Sequence, residues 1–361
     1  MKKKLLSMLA IGAISLGLFA GCGNSGGTSE AIKKVGMVTN SGTIDDKSFN
    51  QGSWEGLKAA EKDLGVNIQY LQPAGATEAD YTKEIGNLYD SGVKLIVTPG
   101  YKFETAIYSA QDKYADANFV LIDGTPNDGS EQPVSKVGSN TVSIYFAEHE
   151  AGFVAGVATA VQLNEGEVGF IGGMKIPSVQ RFNYGFQQGV KYANESLGTS
   201  ISLKEENVVY QGTFDDSSAG TQIAATMYDR GVKAIFCAAG DVGNGVITEA
   251  KTRANSGNEA WVIGADSDQY NDGSYAEGKS VILTSAVKKV NTATYDMVKA
   301  YVENKFPGGE TLNFNIQNDG VGIPETNPNL SDSTMNTVNE IYNKIKSGEI
   351  VVSSEKGDLL N

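Results

Sequence analysis

Residues 35–56 read V-G-M-V-T-N-S-G-T-I-D-D-K-S-F-N-Q-G-S-W-E-G. The apolar run from Lys34 to Thr39 reads as a strand. A polar loop with two adjacent carboxylates, Asp45 and Asp46, follows it and runs straight into a helix. Ser48 with Gln51 three positions later is a capping-box pattern, and Trp54, Leu57, Glu61 and Leu64 recur at helical spacing. Phe49 then falls at the first helical position, beside unpaired backbone N–H groups. Strand, acidic loop, capped helix and aromatic together describe the lip of a ligand site at the end of a strand. The same residues also suit an ordinary helix start, with Asp45 and Asp46 at the positive end of the dipole and Phe49 as a staple.

Working outward, the strand-helix alternation continues. Strand candidates are Val35–Thr39, Val66–Leu71, Val93–Thr98, Phe119–Ile122, Lys136–Ser139, Val168–Ile171, Val208–Gln211, Lys233–Ala238, Trp261–Ala265 and Val281–Val287. Helical patterns of roughly 12 to 20 residues separate most of them. Such alternation predicts an α/β fold with parallel sheets covered on both faces, and this many strands implies two doubly wound lobes rather than one sheet. The first passage between lobes is expected at Gly138–Thr141, before a long helix from Ile144 to Leu163. The loop Gly322–Ser333 precedes a final helix over Met335–Ser347. The expected division is a first lobe of residues 34–139 plus 288–318 and a second of 140–287 plus 319–361.

The beginning of the chain sets the compartment. Lys2, Lys3 and Lys4 precede an apolar segment from Leu5 to Ala20 that ends in Phe19-Ala20-Gly21-Cys22, the layout of a signal peptide over residues 1–21. The cysteine after a small pair resembles a bacterial lipobox, with Cys22 as the lipidated first residue of the mature chain. Residues 22–33, containing G-N-S-G-G-T-S-E, then read as a flexible tether. Loss of the three lysines takes the formal net charge from -14 to -17. That balance argues against nucleic acid as a partner, which demands clustered Lys and Arg. Beyond Cys22 only Cys237 remains, inside the apolar run A-I-F-C-A-A, so no intrachain disulfide is expected in the mature chain.

Catalytic and metal patterns are scarce. The single histidine, His149, lies between Glu148 and Glu150 and fits a solvated or locally paired role. One histidine and one buried-looking cysteine give a zinc site or a nucleophile-histidine pair almost no material. G-D-V-G-N-G at Gly240–Gly245 lacks dinucleotide spacing, and Asp266–Asn271 starts like a calcium loop but has Tyr270 and Asn271 where an acid and a glycine belong. No metal or cofactor is expected.

In open parallel sheets, ligands bind at the carboxyl ends of strands. That rule selects the loops beginning at Asn40, Pro99-Gly100-Tyr101, Gly172–Pro177, Ala239–Gly245 and Asp266–Gln269. Two aromatics, Phe49 and Phe182, and two acids, Asp46 and Asp266, thereby fall at strand ends from both halves of the chain. Phe182, Phe186 and Val190 are also spaced as an apolar helix face, so Phe182 suits a core position equally. Lys288, after the last long strand, suits a solvated lysine equally.

The segments D-D-K-S-F-N-Q (Asp45–Gln51), W-E-G (Trp54–Gly56), G-F-V-A-G (Gly152–Gly156), Arg181-Phe182 with Gly185-Phe186, Ala239-Gly240, and G-A-D-S-D-Q (Gly264–Gln269) span nearly the whole mature chain. In these the chain resembles the basic membrane protein family, the PnrA-like purine nucleoside receptors of ABC transporters. The resemblance implies a type I periplasmic-binding-protein fold, two lobes joined by three crossovers and closing on a ligand at the hinge. It implies a non-enzymatic, lipid-anchored receptor on the extracytoplasmic face of the cell membrane, delivering nucleosides to a permease. It places Phe49 on the purine face, Asn40 and Asp46 near the base edge, and Asp266, Lys288 and Gly240 around the ribose. The full expected contact set is Asn40, Asp46, Ser48, Phe49, Asn50, Tyr101, Phe182, Gly240, Asp241, Asp266 and Lys288. Phe182 is the expected second stacking ring, with Tyr101 and the Val242 loop as alternatives. Asn40 stands where several relatives have aspartate, and Asp241-Val242 replaces a more usual Gly-Thr or Gly-Ser. A receptor of the same architecture for a sugar or other small polar solute, and a nucleoside sensor uncoupled from transport, remain open at this point.

Overall fold

A computed structural model of the chain describes residues 32–40 and 42–360. The signal-peptide, Cys22 and most of the tether expectations lie outside the described residues.

The first lobe begins β1 (Lys34–Val38), α1 (Phe49–Leu64), β2 (Asn67–Leu71), α2 (Glu78–Asp90), β3 (Leu95–Pro99), α3 (Glu104–Lys113), β4 (Asn118–Ile122) and β5 (Thr141–Phe146). The chain then passes to the second lobe with α4 (Glu148–Leu163), β6 (Glu165–Gly172), α5 (Pro177–Ser196), β7 (Ser200–Tyr210), α6 (Ser217–Asp229), β8 (Val232–Ala238), α7 (Asp241–Asn255) and β9 (Trp261–Asp266). A small hairpin, β10 (Ser274–Ala276) and β11 (Lys279–Ser280), precedes β12 (Ile282–Lys288). The chain returns for α8 (Val290–Val302) and β13 (Thr311–Phe314), and crosses a third time to β14 (Val321–Gly322) and α9 (Asp332–Lys346).

The two six-stranded sheets have the orders β13-β5-β4-β3-β1-β2 and β14-β12-β9-β8-β6-β7. The five positions from β5 to β2 and from β12 to β7 repeat the same connectivity, so β4 and β9 occupy equivalent places, as do β3 and β8. Within these sheets the pairings are parallel except β12 with β14. Residue alternation shows why both faces are covered. On β3, Leu95 and Val97 face the layer containing Leu57 of α1 and Val298 of α8, whereas Ile96 faces Ile85 of α2 and Ile107 of α3. A strand buried on both faces reads as an apolar run because every side chain meets a helix.

The expected strand at Lys136–Ser139 is corrected. Those residues form a loop, and the strand is Thr141–Phe146. Val142, Ile144 and Phe146 alternate along it in the same buried layer, a period of two that was absorbed into the following helix. The first passage between lobes therefore lies at Ala147, not at Gly138–Thr141, and residues 141–146 belong to the first sheet. The edge strands β13 and β14, of four and two residues, carry too short a pattern to be read from sequence.

Helix pairs cross at glycines. A methyl group on Gly185 or Gly189 of α5 would overlap the carbonyl oxygen of His149 or Phe153 on α4. The backbones touch there, which fixes α5 and the cleft loop before it against the hinge.

Candidate functional site

A cleft between the lobes, with about 770 Å³ of empty space to its open mouth, is lined by the carboxyl ends of strands from both sheets. All eleven residues expected to contact ligand line it. Several of them also make contacts within the protein that the sequence did not show.

Ser48 does not cap α1. Its side chain makes no bond to the helix backbone, and its hydroxyl donates to Asp266 Oδ2 across the cleft at 2.5 Å. The cap is Asp46. Its Oδ1 accepts from the N–H groups of Ser48 (3.0 Å) and Gln51 (3.1 Å), and its Oδ2 from the Asn50 N–H (3.0 Å) and Asn50 Nδ2 (2.8 Å). Gln51 reaches back to the Lys47 N–H rather than to Ser48. Burial raises the Asp46 pKa, and the four donors oppose that rise. A carboxylate two residues earlier outcompetes the serine because it can bridge three backbone donors of the first turn at once. Phe49 is thereby aimed into the cleft.

Asn40 ties two strand ends together. Its Nδ2 donates to the Pro99 carbonyl at 2.9 Å, and its Oδ1 accepts from the Gly42 N–H and from Asn50 Nδ2, both at 3.2 Å. One amide N–H is left for a ligand. Tyr101 spans the lobes, its hydroxyl 3.7 Å from the Met174 sulfur. Asp241 starts α7, where its N–H donates to the Phe214 carbonyl at 2.8 Å and its Oδ1 accepts from Asn244 Nδ2 at 2.8 Å. Gly240 before it has φ 57° and ψ −130°, a combination open to glycine alone, and brings bare backbone to the cleft wall.

Phe182 reaches the cleft but is only 3% exposed and stands perpendicular to Phe236, with ring centroids 5.7 Å apart. It is a core residue whose edge forms cleft wall. Phe214, which sequence reading missed, is a half-buried ring in the same wall. Its signal was available: G-T-F follows the strand candidate Val208–Gln211, and the strand-end rule applies there as elsewhere. Gly173 leaves the room that the Phe214 ring fills.

Charge is concentrated at the hinge. Lys288, at the end of β12, is 3% exposed and pairs with Asp123 Oδ2 and, at 3.0 Å, with Glu148 Oε1. Arg181 Nε holds the other Glu148 oxygen at 2.7 Å. The Lys288 ammonium lies 4.9 Å from the Phe49 ring centroid and 6.0 Å from that of Phe182. Asp123 and Glu148 were not singled out in sequence, although Asp123 follows an apolar strand as Asp266 does. Asp123, directly after β4, and Asp266, the last residue of β9, sit at equivalent places, and both adopt left-handed backbone conformations, φ 57° and 67°, which turn their carboxylates inward. Asp123 Oδ1 is buried with no hydrogen-bond partner.

Burial pushes Asp123 up to about 6, against the pull of Lys288 and with the help of Glu148. Burial also raises Asp266, opposed by Lys288 and the Ser48 hydroxyl. For Lys288, burial alone would favour the neutral amine, but Asp123, Glu148 and Asp266 outweigh it and hold the proton firmly. Glu148 stays below the usual carboxylate range because Lys288 and Arg181 together overcome its burial. The cleft thus offers ring faces, a fixed ammonium, and carboxylates with acceptor capacity to spare. His149 is half-buried, its Nδ1 without a partner. Cys237 is buried with its thiol pushed far up. Among the described residues, no group of three or more His, Cys, Asp or Glu is placed to hold a metal ion, and no helix is long and apolar enough to cross a membrane.

A family model described as ABC transporter substrate-binding protein PnrA-like matches residues 33–356. The chain belongs to that family. Its PnrA-like relatives include the "ABC transporter nucleoside-binding protein BmpA" of Lactococcus lactis subsp. cremoris, 33% identical over 98% of this chain and 100% of that one. "Basic membrane protein D" of Borreliella burgdorferi is 32% identical over 92% of this chain and 89% of its own length. A solute-binding protein of an ABC transporter system from Aeropyrum pernix K1 superposes with a TM-score of 0.75 at 24% identity, over 90% of this chain and 94% of that one. A transcriptional activator of the comK gene from Bacillus halodurans shares the fold at a TM-score of 0.68 and 22% identity, over 88% of this chain and 99% of its own. The PnrA-like chain is therefore an ABC transporter substrate-binding protein, a binding component and not an enzyme.

Proposed function

We propose that this substrate-binding protein captures purine nucleosides in the interlobe cleft and hands them to a membrane permease. It does so from the extracytoplasmic face of the cell membrane, held there by a lipid on Cys22. The observation that carries the ligand class is the pairing, within one cleft, of rings from both lobes with two inward-turned carboxylates and a buried ammonium. A flat base suits the rings, and a vicinal diol suits Asp266 and the unpartnered Asp123 Oδ1. The relative named for nucleoside binding supports the same class. Phe49 and Phe214 are the stacking pair of this proposal, in place of the Phe182 expected from sequence, because Phe182 is committed to the core. Gly240 leaves backbone close to the sugar, and Lys288 neutralises the acids that receive its hydroxyls.

Mass spectrometry of small molecules released from the purified protein, with a thermal-shift panel of nucleosides, free bases, sugars and amino acids, tests this. Purine nucleosides are expected to stabilise the protein, and stabilisation by sugars alone would overturn the reading. Inosine is expected to bind more tightly than 2'-deoxyinosine, since a missing hydroxyl leaves buried carboxylate capacity unused. Equal affinity for the two would remove the diol role.

A further inference from the structure

The two segments D-D-K-S-F-N-Q and G-A-D-S-D-Q bind each other. The Lys47 carbonyl accepts from Ser267 Oγ at 2.9 Å and from Gln269 Nε2 at 3.0 Å, and the Asp46 carbonyl accepts from Asn244 Nδ2 at 3.3 Å. All three donors belong to the second lobe and both acceptors to the first. Lys47 has φ 61°, a left-handed conformation costly for lysine, and in it the carbonyl is presented to the opposite lobe. Gln269 is locked for the purpose. Its Oε1 accepts from the Ala265 N–H at 3.2 Å, its own N–H donates to Ser285 Oγ at 3.2 Å, and Gly264 leaves the space it occupies. Lys47, Asn244, Ser267 and Gln269 all lie outside the cleft lining.

We propose that these bonds form a closure latch. The first lobe offers backbone carbonyls and the second offers fixed side-chain donors, so the latch forms only when the lobes meet and touches no ligand. Ser267 and Gln269 are positioning residues. They hold the Asp46–Phe49 lip over the cleft and slow the escape of every ligand alike, while the cleft residues choose among ligands. This inference rests on lobe closure and not on the nucleoside reading.

The test is stopped-flow binding of inosine, adenosine, guanosine and arabinose to the full mature chain and to its variants. Ser267→Ala removes one latch bond and no other bond of that hydroxyl. Gln269→Glu keeps the acceptor for Ala265 and sets a carboxylate against the Lys47 carbonyl. From the net worth of single neutral hydrogen bonds, Ser267→Ala is expected to weaken binding about fivefold, and the double variant about thirtyfold. The loss is expected in the dissociation rate, by the same factor for each ligand the wild type binds, with ligand-free unfolding unchanged. Unchanged dissociation in both variants, a loss confined to the association rate, or a shifted preference between ligands would overturn the latch. Should the wild type take arabinose and no nucleoside, the nucleoside reading falls, while a faster arabinose release in Ser267→Ala still supports the latch.

Discussion

Replacing Lys288 by methionine probes the hinge most directly. The stem volume is kept and the ammonium removed, which strips Asp123 of the one hydrogen bond its side chain makes and Glu148 of one of two cationic partners. Of the three carboxylates around it, Asp123, Glu148 and Asp266, only Glu148 then keeps an ion pair among the described residues, with Arg181. Removing one partner of a buried ion pair costs about 3 to 5 kcal/mol when the remaining charge has no other recourse. Asp123 has one, because its pKa is already about 6 and can rise further without the lysine. A carboxyl whose folded pKa lies above its unfolded value binds its proton more tightly in the fold, so its contribution to stability declines as pH rises from the unfolded value to the folded one. In the wild type that decline ends near pH 6, and in Lys288→Met it continues through neutrality. At pH 5 Asp123 is largely protonated in both proteins, and the variant is expected to lose about 1 to 2 kcal/mol. Each further unit of pKa rise adds about 1.4 kcal/mol, so the gap is expected to reach about 4 kcal/mol at pH 8. Urea unfolding of both proteins at pH 5, 6, 7 and 8 measures it, and Lys288→Met with Asp123→Leu is expected to recover most of the pH 8 loss. A gap that is constant with pH, larger at pH 5, or below about 1 kcal/mol throughout would refute the assignment of Lys288 as the counter-charge of Asp123.

Asp46→Ala is expected to lower unfolding stability by about 1 to 2 kcal/mol through loss of the α1 cap. Ser48→Ala should leave the ligand-free urea midpoint unchanged, and an equal loss in both would restore serine as the cap. Phe214→Ala is expected to weaken purine nucleoside binding by about one order of magnitude through lost stacking, with little effect on stability. Phe182→Ala is expected instead to cost about 3 to 5 kcal/mol of stability as a core truncation. Calorimetry of both variants beside their denaturation curves separates the roles, and the opposite pattern would return Phe182 to the stacking position.

Much of the architecture was legible because a doubly wound sheet repeats one local rule. Apolar runs such as V-K-L-I-V and V-L-I-D predict buried strands without reference to distant residues. The loops at their ends are ligand positions by topology, which is how Phe49, Asp266 and Gly240 could be selected. The same rule, applied evenly, also reaches Asp123 and Phe214. Thr141–Phe146 was harder because no glycine or proline separates it from the start of α4, and a run of mixed period does not say where a strand yields to a helix. Lys288 and Glu148 gave no signal of burial, since a charged residue is buried only where its partner is, and each partner lies on another element.

By itself the amino-acid order determined the lobes, the strand ends and the family segments, because hydrophobic periodicity and turn chemistry are local. Only the tertiary structure decided which polar atoms meet. Ser48 carries the local grammar of a helix cap, yet its hydroxyl goes to Asp266, 218 residues away. Asp46 takes the cap because its two oxygens can satisfy several donors at once. The choice among partners for a hydroxyl or a carboxylate depends on distances of a few tenths of an ångström, set by helix contacts at Gly185 and Gly189 and by left-handed turns at Lys47, Asp123 and Asp266. The Ser48–Asp266 bond joins two lobes and can be read from neither alone.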